Sequence, residues 1–365
     1  MKEKVLMKGN EAFGETAIRC GCRFYFGYPI TPQNELTEYM SANLKKAGGE
    51  FIQAESELAA VNMAYGAACS GGRVLISSSS PGIALMQEGL SFMCSVQVPL
   101  VVINVSRGGP GVGSIQPGQA DYYQATRGGG NGDYHLIVYA PSSIQEASDT
   151  IVKAYDVAEK YRNPVMVLAD GMLGQMMEPV SLPEMKEALA EEDIPKVKPW
   201  ALVGHKDQRP HNVIKSLYLQ TEQLEETING YWGKYETAKK ELPEYEAYNL
   251  DGAEVVMVAY GSTSRIVLEA IDLLAESGIK AGLIRPITLW PFPYNAFDKI
   301  GSSTKAVVSV ELSKGQMLDD ILIGSNGRWP AAVVSRTGGV LIYPQEVADR
   351  VKELLEGGKL NGKSV

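Results

Sequence analysis

The sequence predicts an α/β protein, a mostly parallel sheet covered by helices on both faces, followed by a smaller unit of the same class. Two observations carry this. Short apolar runs without polar alternation, such as Pro99 to Val105 (PLVVINV), recur between helical patterns, which is how strands buried on both faces are written. The charge density also changes along the chain: 22 of the 70 residues from 181 to 250 are charged, against 30 of the 180 before them. A first domain over 1–180, a charged linker over 181–250 and a second unit over 251–365 follow.

In order, GNEAFGETAI predicts a loop and a short helix leading into a strand from Arg23 to Gly27. A stiff turn, Tyr28-Pro29-Ile30-Thr31-Pro32, comes next, since each proline restrains itself and its predecessor. The run from Glu57, ELAAVNMAYGA, reads as a buried helix with apolar or small residues at 58, 59, 60, 61 and 63. Strands are expected at Gly72 to Ser78, Pro99 to Val105, Leu136 to Ala140 and Val165 to Ala169. Helices are expected at Pro81 to Cys94 and at Ser142 to Tyr161, the latter opened by Pro-Ser-Ser with Gln145 and Glu146 in its first turn.

In the linker, Ile214, Leu217, Leu224, Ile228, Tyr231 and Tyr235 recur at helical spacing and predict one long amphipathic helix weakened by Gly230 and Gly233. The second unit is expected to hold strands at Glu254 to Tyr260, Lys280 to Ile284, Ala306 to Val310 and Ala332 to Val334. Its helices are Ser264 to Ser277 and Pro344 to Leu355, and residues 358–365 read as a frayed tail.

Composition narrows the function. A net charge of −9 without basic runs argues against nucleic acid and anionic membrane surfaces, and no apolar run approaches the ~20 residues of a membrane span. Four scattered cysteines suit a reducing, cytoplasmic setting. Cys20-Gly21-Cys22 lacks a second pair and reads as two small buried hydrophobes, so no metal site is expected on this chain. His135, His205 and His211 lack the neighbours that hydrolytic or zinc sites need.

The carboxyl of Glu57 is out of place in an apolar helix, because burial costs a carboxylate several kcal/mol unless it is compensated and favours sharing a proton. Arg107 opens a glycine-rich loop, Ser106 to Gly113, at a strand end and suits a small carboxylate or a phosphate; an arginine capping a helix or pairing on the surface is the plain alternative. Neither a Walker loop nor a dinucleotide fingerprint is present there. The serines 77 to 80 before Pro81-Gly82 can cap the next helix or bond a ligand, capping being the simpler expectation, and Asp170-Gly171 is a turn without an assigned role.

Taken together, Tyr28-Pro-Ile-Thr-Pro32, Glu57 in ESELAAVNMAYGAA, Ser80-Pro-Gly-Ile-Ala-Leu-Met-Gln-Glu88 and Ser106-Arg-Gly-Gly-Pro110 resemble the α subunit of 2-oxoacid:ferredoxin oxidoreductases. Arg285 to Pro293 and Glu311 to Gln316 extend the resemblance over nearly the whole chain. The branched-chain (2-oxoisovalerate) type is nearest, the 2-oxoglutarate type next. The resemblance implies a pyrimidine-type thiamine-diphosphate-binding domain plus a transketolase-C-terminal-like domain. It implies that Glu57 bonds the aminopyrimidine of thiamine diphosphate and favours the tautomer that deprotonates the thiazolium. It places Tyr28, Pro29, Ser80 and Gly82 against the cofactor, Ile30 and Thr31 on the 2-oxoacid, and Arg107 on its carboxylate.

The Gly-Asp-Gly element that holds Mg2+ and diphosphate is missing, Asn131-Gly132-Asp133 having the wrong order, and so are cysteine clusters for iron–sulfur centres. The resemblance therefore implies a β subunit that completes the cofactor site, with γ and ferredoxin-like subunits carrying electrons, in an αβ dimer of dimers. Ile115 to Asp121 reads IQPGQAD where the 2-oxoglutarate type carries a Pro-Thr-Lys element. Without that lysine a neutral branched substrate, 3-methyl-2-oxobutanoate, is expected, converted with CoA to the acyl-CoA. The alternatives are a 2-oxoglutarate-type subunit, half of a non-oxidative thiamine decarboxylase, or a non-catalytic assembly protein of the same fold.

Overall fold

The computed structural model describes residues 4–205, 207 and 209–357, so the expected frayed tail lies outside the described residues. A seven-stranded sheet runs in the order Thr288–Trp290, Ile137–Tyr139, Pro164–Asp170, Leu100–Ser106, Val74–Ser78, Phe24–Gly27, Glu50–Gln53. Every pairing is parallel except the first. A five-stranded sheet follows the order Ala331–Ser335, Ala306–Glu311, Val255–Val258, Ala281–Pro286, Tyr245–Tyr248, with only the last pairing antiparallel. Both central strand pairs are fully buried and mostly apolar, as their Val/Ile/Leu-rich runs require, with polar residues at Asn104, Ser309 and the strand ends.

The sheets interlock across the expected boundaries. Thr288–Trp290, from the later part of the chain, forms the edge of the first sheet, and Tyr245–Tyr248, from the end of the charged stretch, forms the edge of the second. Neither strand was expected, nor was the antiparallel pair Val5–Lys8 with Met177–Val180. The helix Ile144–Tyr161 starts as its first turn predicts: Ser143 Oγ accepts from the Glu146 amide at 3.1 Å, and the Glu146 carboxylate accepts from the Ser142 amide at 2.8 Å.

Two expected helices differ. The long amphipathic helix begins at Thr221, not near Ile214, and ends at Glu241; Ile214 and Leu217 lie in irregular chain before it. Tyr231 and Tyr235 anchor it on the first sheet's domain, donating to the Asp133 carbonyl at 2.9 Å and to Asn163 Oδ1 at 3.0 Å. Glu57–Cys69 is a helix, but one face is uncovered, leaving Leu58 45% and Met63 37% exposed. Only the Ala60, Val61, Ala64, Ala68 face packs inward. No helix among the described residues is long and apolar enough to cross a membrane.

The two units are joined by buried polar groups. Gln119 Nε2 donates to the Tyr260 carbonyl, while its Oε1 accepts from Thr263 and from the Leu312 amide. Asp320, fully buried, accepts from Tyr122 and Tyr294, each at 2.6 Å, and from Arg127 at 2.9 Å. Arg285 links Glu146 of the first unit to Glu246 of the second sheet's edge. The stretch 115–121 is thus built into this joint through Gln119, while Asp121 faces elsewhere.

Candidate active site

Strands Phe24–Gly27, Val74–Ser78 and Leu100–Ser106 end on one edge of the first sheet, the edge at which open α/β sheets hold ligands. There Glu57 is 5% exposed and opens its helix, so its carboxylate stands at the positive end of the helix dipole. Ser78 Oγ donates to Glu57 Oε1 at 3.3 Å. A Cβ added to Gly82 would lie 2.4 Å from that oxygen and 2.0 Å from Ser78 Oγ, so glycine at 82 makes room for the acid. The same helix face presents Gly89 to Val61, which brings helices Glu57–Cys69 and Ser80–Ser95 into close contact.

The turn at 28–32 is held from three sides. Asn10 and Gln175 both donate to the Pro32 carbonyl, at 2.8 and 2.9 Å, and Arg107 Nη1 donates to the Thr31 carbonyl at 2.7 Å. Tyr28 and Pro29 are exposed, while Ile30 and Thr31 are half-buried. Arg107 is 7% exposed, and its Nη2 donates to the Val112 carbonyl at 2.8 Å while its buried Nε has no partner. No carboxylate bonds to it among the described residues, although the buried Asp121 lies near enough to feel its charge. The guanidinium therefore neither caps a helix nor forms a surface ion pair: it is a buried cation with an unpartnered Nε and no carboxylate bonded to it, and an anionic ligand would find donors free there.

The serines do other work than capping. Ser77 Oγ donates to Gln33 Oε1 at 2.7 Å and shares a hydrogen with Tyr25 at 2.8 Å; Ser80 Oγ accepts from the Arg107 amide at 3.0 Å. Ser79, at the N-cap, makes no side-chain cap bond and its buried hydroxyl lacks a partner. Asp170 is a cap where only a turn was expected. It accepts from the amides of Met172 and Leu173 and from Ser262, and desolvation raises its pKa against those donors.

Asp121 has no counterpart among the residues expected from sequence. Buried, it accepts from Asn104 Nδ2 at 2.8 Å, and desolvation raises its pKa despite neighbouring Ser80, Asn104, Ser106 and Arg107. Its Asp-Tyr-Tyr context reads as an ordinary helix start, so only the tertiary neighbours mark it. With Ser80, Leu85, Val112, Leu312 and Gly338 it lines a cavity of about 800 Å3 between the glycine-rich loop and the second unit. A second cavity of about 710 Å3 lies at the other edge of the sheet, and two of the cations lining it, Arg73 and Lys198, are paired with Glu159.

Thus Glu57, Ser78 and Gly82 form one cluster, and Arg107, Thr31 and Ser80 another, joined by the short stretch from Ser78 to Gly82. The Glu57 pocket fits an aminopyrimidine: one carboxylate oxygen is fixed by a hydroxyl, the other has no bonded partner among the described residues, and the glycine floor leaves the acid room.

Comparisons with known proteins give the family. Residues 15–245 match the family described as pyruvate flavodoxin/ferredoxin oxidoreductase, thiamine diphosphate-binding, and residues 253–347 match pyruvate:ferredoxin oxidoreductase core domain II. The ketoisovalerate oxidoreductase subunit VorB of Methanothermobacter marburgensis is 43% identical over 96% of this chain and 97% of its own. A 2-oxoglutarate:ferredoxin oxidoreductase from Magnetococcus marinus, solved with 2-oxoglutarate, coenzyme A and succinyl-CoA bound, superposes with a TM-score of 0.82 at 27% identity. That match covers 97% of this chain and 66% of the solved one. A split-gene transketolase, an inactive β4 tetramer, shares the fold at a TM-score of 0.57 and 13% identity, covering 96% and 98%. The chain belongs to the pyruvate flavodoxin/ferredoxin oxidoreductase family and is a subunit of a thiamine-dependent 2-oxoacid:ferredoxin oxidoreductase.

Proposed function

We propose that this chain supplies the pyrimidine-side and carboxylate-binding half of a site that decarboxylates a branched 2-oxoacid, 3-methyl-2-oxobutanoate. The products are the acyl-CoA, CO2 and two electrons passed to ferredoxin. The observation that carries this is the placing of a buried, glycine-floored acid at Glu57 and a buried cation at Arg107, with Nε unpartnered and no carboxylate bonded to it, on one sheet edge. Glu57 holds and exchanges a proton with the cofactor's ring nitrogen, Arg107 takes the substrate carboxylate, and the Thr31 turn orients the 2-oxo group. Bound thiamine diphosphate supplies the nucleophilic carbon and the electron sink. Tyr28, Pro29, Ser80 and Gly82 shape its pocket, and Ile30 borders the substrate.

A partner β chain contributes the diphosphate and Mg2+ contacts in this reading, and γ and ferredoxin-like chains the iron–sulfur clusters, in an αβ dimer of dimers in the cytoplasm. Apolar side chains exposed around the site, Leu58, Met63, Leu85 and Val112, support a subunit boundary there. The relative named for ketoisovalerate and the apolar cavity wall at Leu85 and Leu312 support the branched substrate.

A 2-oxoglutarate-type reading has one observation in its favour. Lys314, exposed on the same cavity and without an ion pair among the described residues, offers a counter-charge to a second carboxylate. A panel of 2-oxoacids assayed for viologen reduction by the complex co-expressed with its partner chains decides between them. Preference for 3-methyl-2-oxobutanoate over 2-oxoglutarate supports the first, the reverse order the second, and no CoA-dependent reduction with any 2-oxoacid overturns both.

A further inference from the structure

The loop that follows Arg107 touches the second unit. At the end of its strand Arg107 forms an isolated bridge with Pro117, the Gly108 amide donates to the Gln116 carbonyl at 2.9 Å, and the Ser114 amide donates to the Gly108 carbonyl at 2.7 Å. The loop 108–114 is therefore folded back on itself, with the Val112 carbonyl brought round to Arg107 Nη2. Against this knot lies the segment after strand Ala331–Ser335. A Cβ on Gly108 would fall 2.5 Å from the Gly338 carbonyl carbon and 2.6 Å from the Gly339 nitrogen, so main chain meets main chain with no side chain between. Ser114 Oγ donates to the Gly338 carbonyl at 2.9 Å. A Cβ on Gly339 would fall 2.4 Å from Ser114 Oγ and 2.6 Å from Gln116 Cβ, and both glycines have positive φ, +67° and +96°, so this approach is built from residues without side chains.

We infer that Gly338 and Gly339 of the second unit are positioning residues for the Arg107 clamp: they fix the height of the 107–114 loop and with it the placing of the guanidinium between the Thr31 and Val112 carbonyls. This rests on the reading of Arg107 as the carboxylate-binding cation. The second unit thereby shapes carboxylate binding through Gly338 and Gly339, apart from the residues it lends to the cavity wall. Main-chain contact suits the task, because backbone atoms cannot swing aside as a side-chain end does, and a shift of a few tenths of an ångström at Gly108 is passed directly to the next residue.

The test uses the complex purified with its partner chains and three variants. Arg107→Met checks the clamp itself and should raise KM for the 2-oxoacid more than tenfold. Gly108→Ala drives a methyl into the Gly338 backbone and should also raise KM at least tenfold. Ser114→Ala removes one hydrogen bond across the joint and should raise it about fivefold. In both joint variants kcat and the thiamine diphosphate concentration for half-activation should stay near wild type, and in Ser114→Ala the melting temperature as well, a split that general loosening would not produce. If Gly108→Ala fails to assemble, Ser114→Ala decides alone. Unchanged KM in the joint variants beside a raised KM in Arg107→Met overturns the inference and leaves the clamp standing. KM and the thiamine constant rising together also overturns it. Unchanged KM in Arg107→Met overturns the clamp and the inference with it.

Discussion

Arg107 Nη1 donates to the carbonyl of Thr31 at 2.7 Å across 76 residues of sequence, tying the loop after one central strand to the turn after another. The cation proposed to take the substrate carboxylate and the turn proposed to orient the 2-oxo group are thus one mechanical unit, and Ser80, bonded to the Arg107 amide, connects that unit to the helix whose Gly82 floors Glu57.

Glu57→Gln keeps the shape of the side chain and removes the exchangeable acid. Decarboxylation by the assembled complex should fall about 10^2- to 10^4-fold, the usual contribution of a positioned proton carrier, while the melting temperature holds. Single-turnover CO2 release measures the loss; activity within a few fold of wild type would sink the assignment.

Gly82→Ala places a methyl 2.4 Å from Glu57 Oε1. The acid must move or the helices part, at a cost of about 1–3 kcal/mol. Titration of activity with thiamine diphosphate should show a weaker half-activation constant. Gly66→Ala, on the neighbouring helix with nothing within 4 Å of the added carbon, should leave stability unchanged or raise it by up to about 1 kcal/mol.

Asp320→Ala leaves the Tyr122 hydroxyl buried without its acceptor and releases Tyr294 and Arg127. Breaking a buried charged network of this kind costs on the order of 3 kcal/mol. Urea denaturation should show the loss, with the transition for the second unit separating from that of the first.

His135 stacks on Trp290 at a centroid distance of 4.3 Å and packs edge-on to Tyr235, and its Nδ1 has no partner. Desolvation is the main cause that lowers its pKa to about 4, with Lys239 and Arg127 adding to the shift and Asp133 and Glu236 opposing it. The folded chain therefore holds it neutral where the unfolded chain takes up a proton, so its contribution to stability is present above about pH 6.5 and is lost as pH falls towards 4. Melting temperatures across that window should fall more steeply for wild type than for His135→Gln; parallel curves would show that the imidazole is not responsible.

The parallel strands were legible because burial on both faces leaves apolar runs without alternation, as over residues 100–103, and Glu57 was legible because an acid interrupts an apolar stretch. Thr288–Trp290 was not, since its partner Ile137–Tyr139 is chosen by tertiary contact and three prolines follow or flank the stretch. The serines 77 to 80 misled for a related reason: a hydroxyl at a helix start can cap, but here Tyr25, Gln33, Glu57 and the Arg107 backbone offer partners that sequence does not display. Asp121 was missed because nothing local separates a cavity-lining acid from a helix-starting one. Ile214 and Leu217 continued the spacing of the helix from Thr221 without joining it, and periodicity alone cannot tell where the turns begin.

Because residues 288–290 close the edge of the sheet begun near residue 24, the amino-terminal half cannot finish itself. On the ribosome the flank of Ile137–Tyr139 stays bare until some 150 further residues have emerged, and a bare flank of this kind recruits stray strands. Truncation anywhere before Trp290 should therefore yield an aggregating fragment, which binds the two units into a single inheritance.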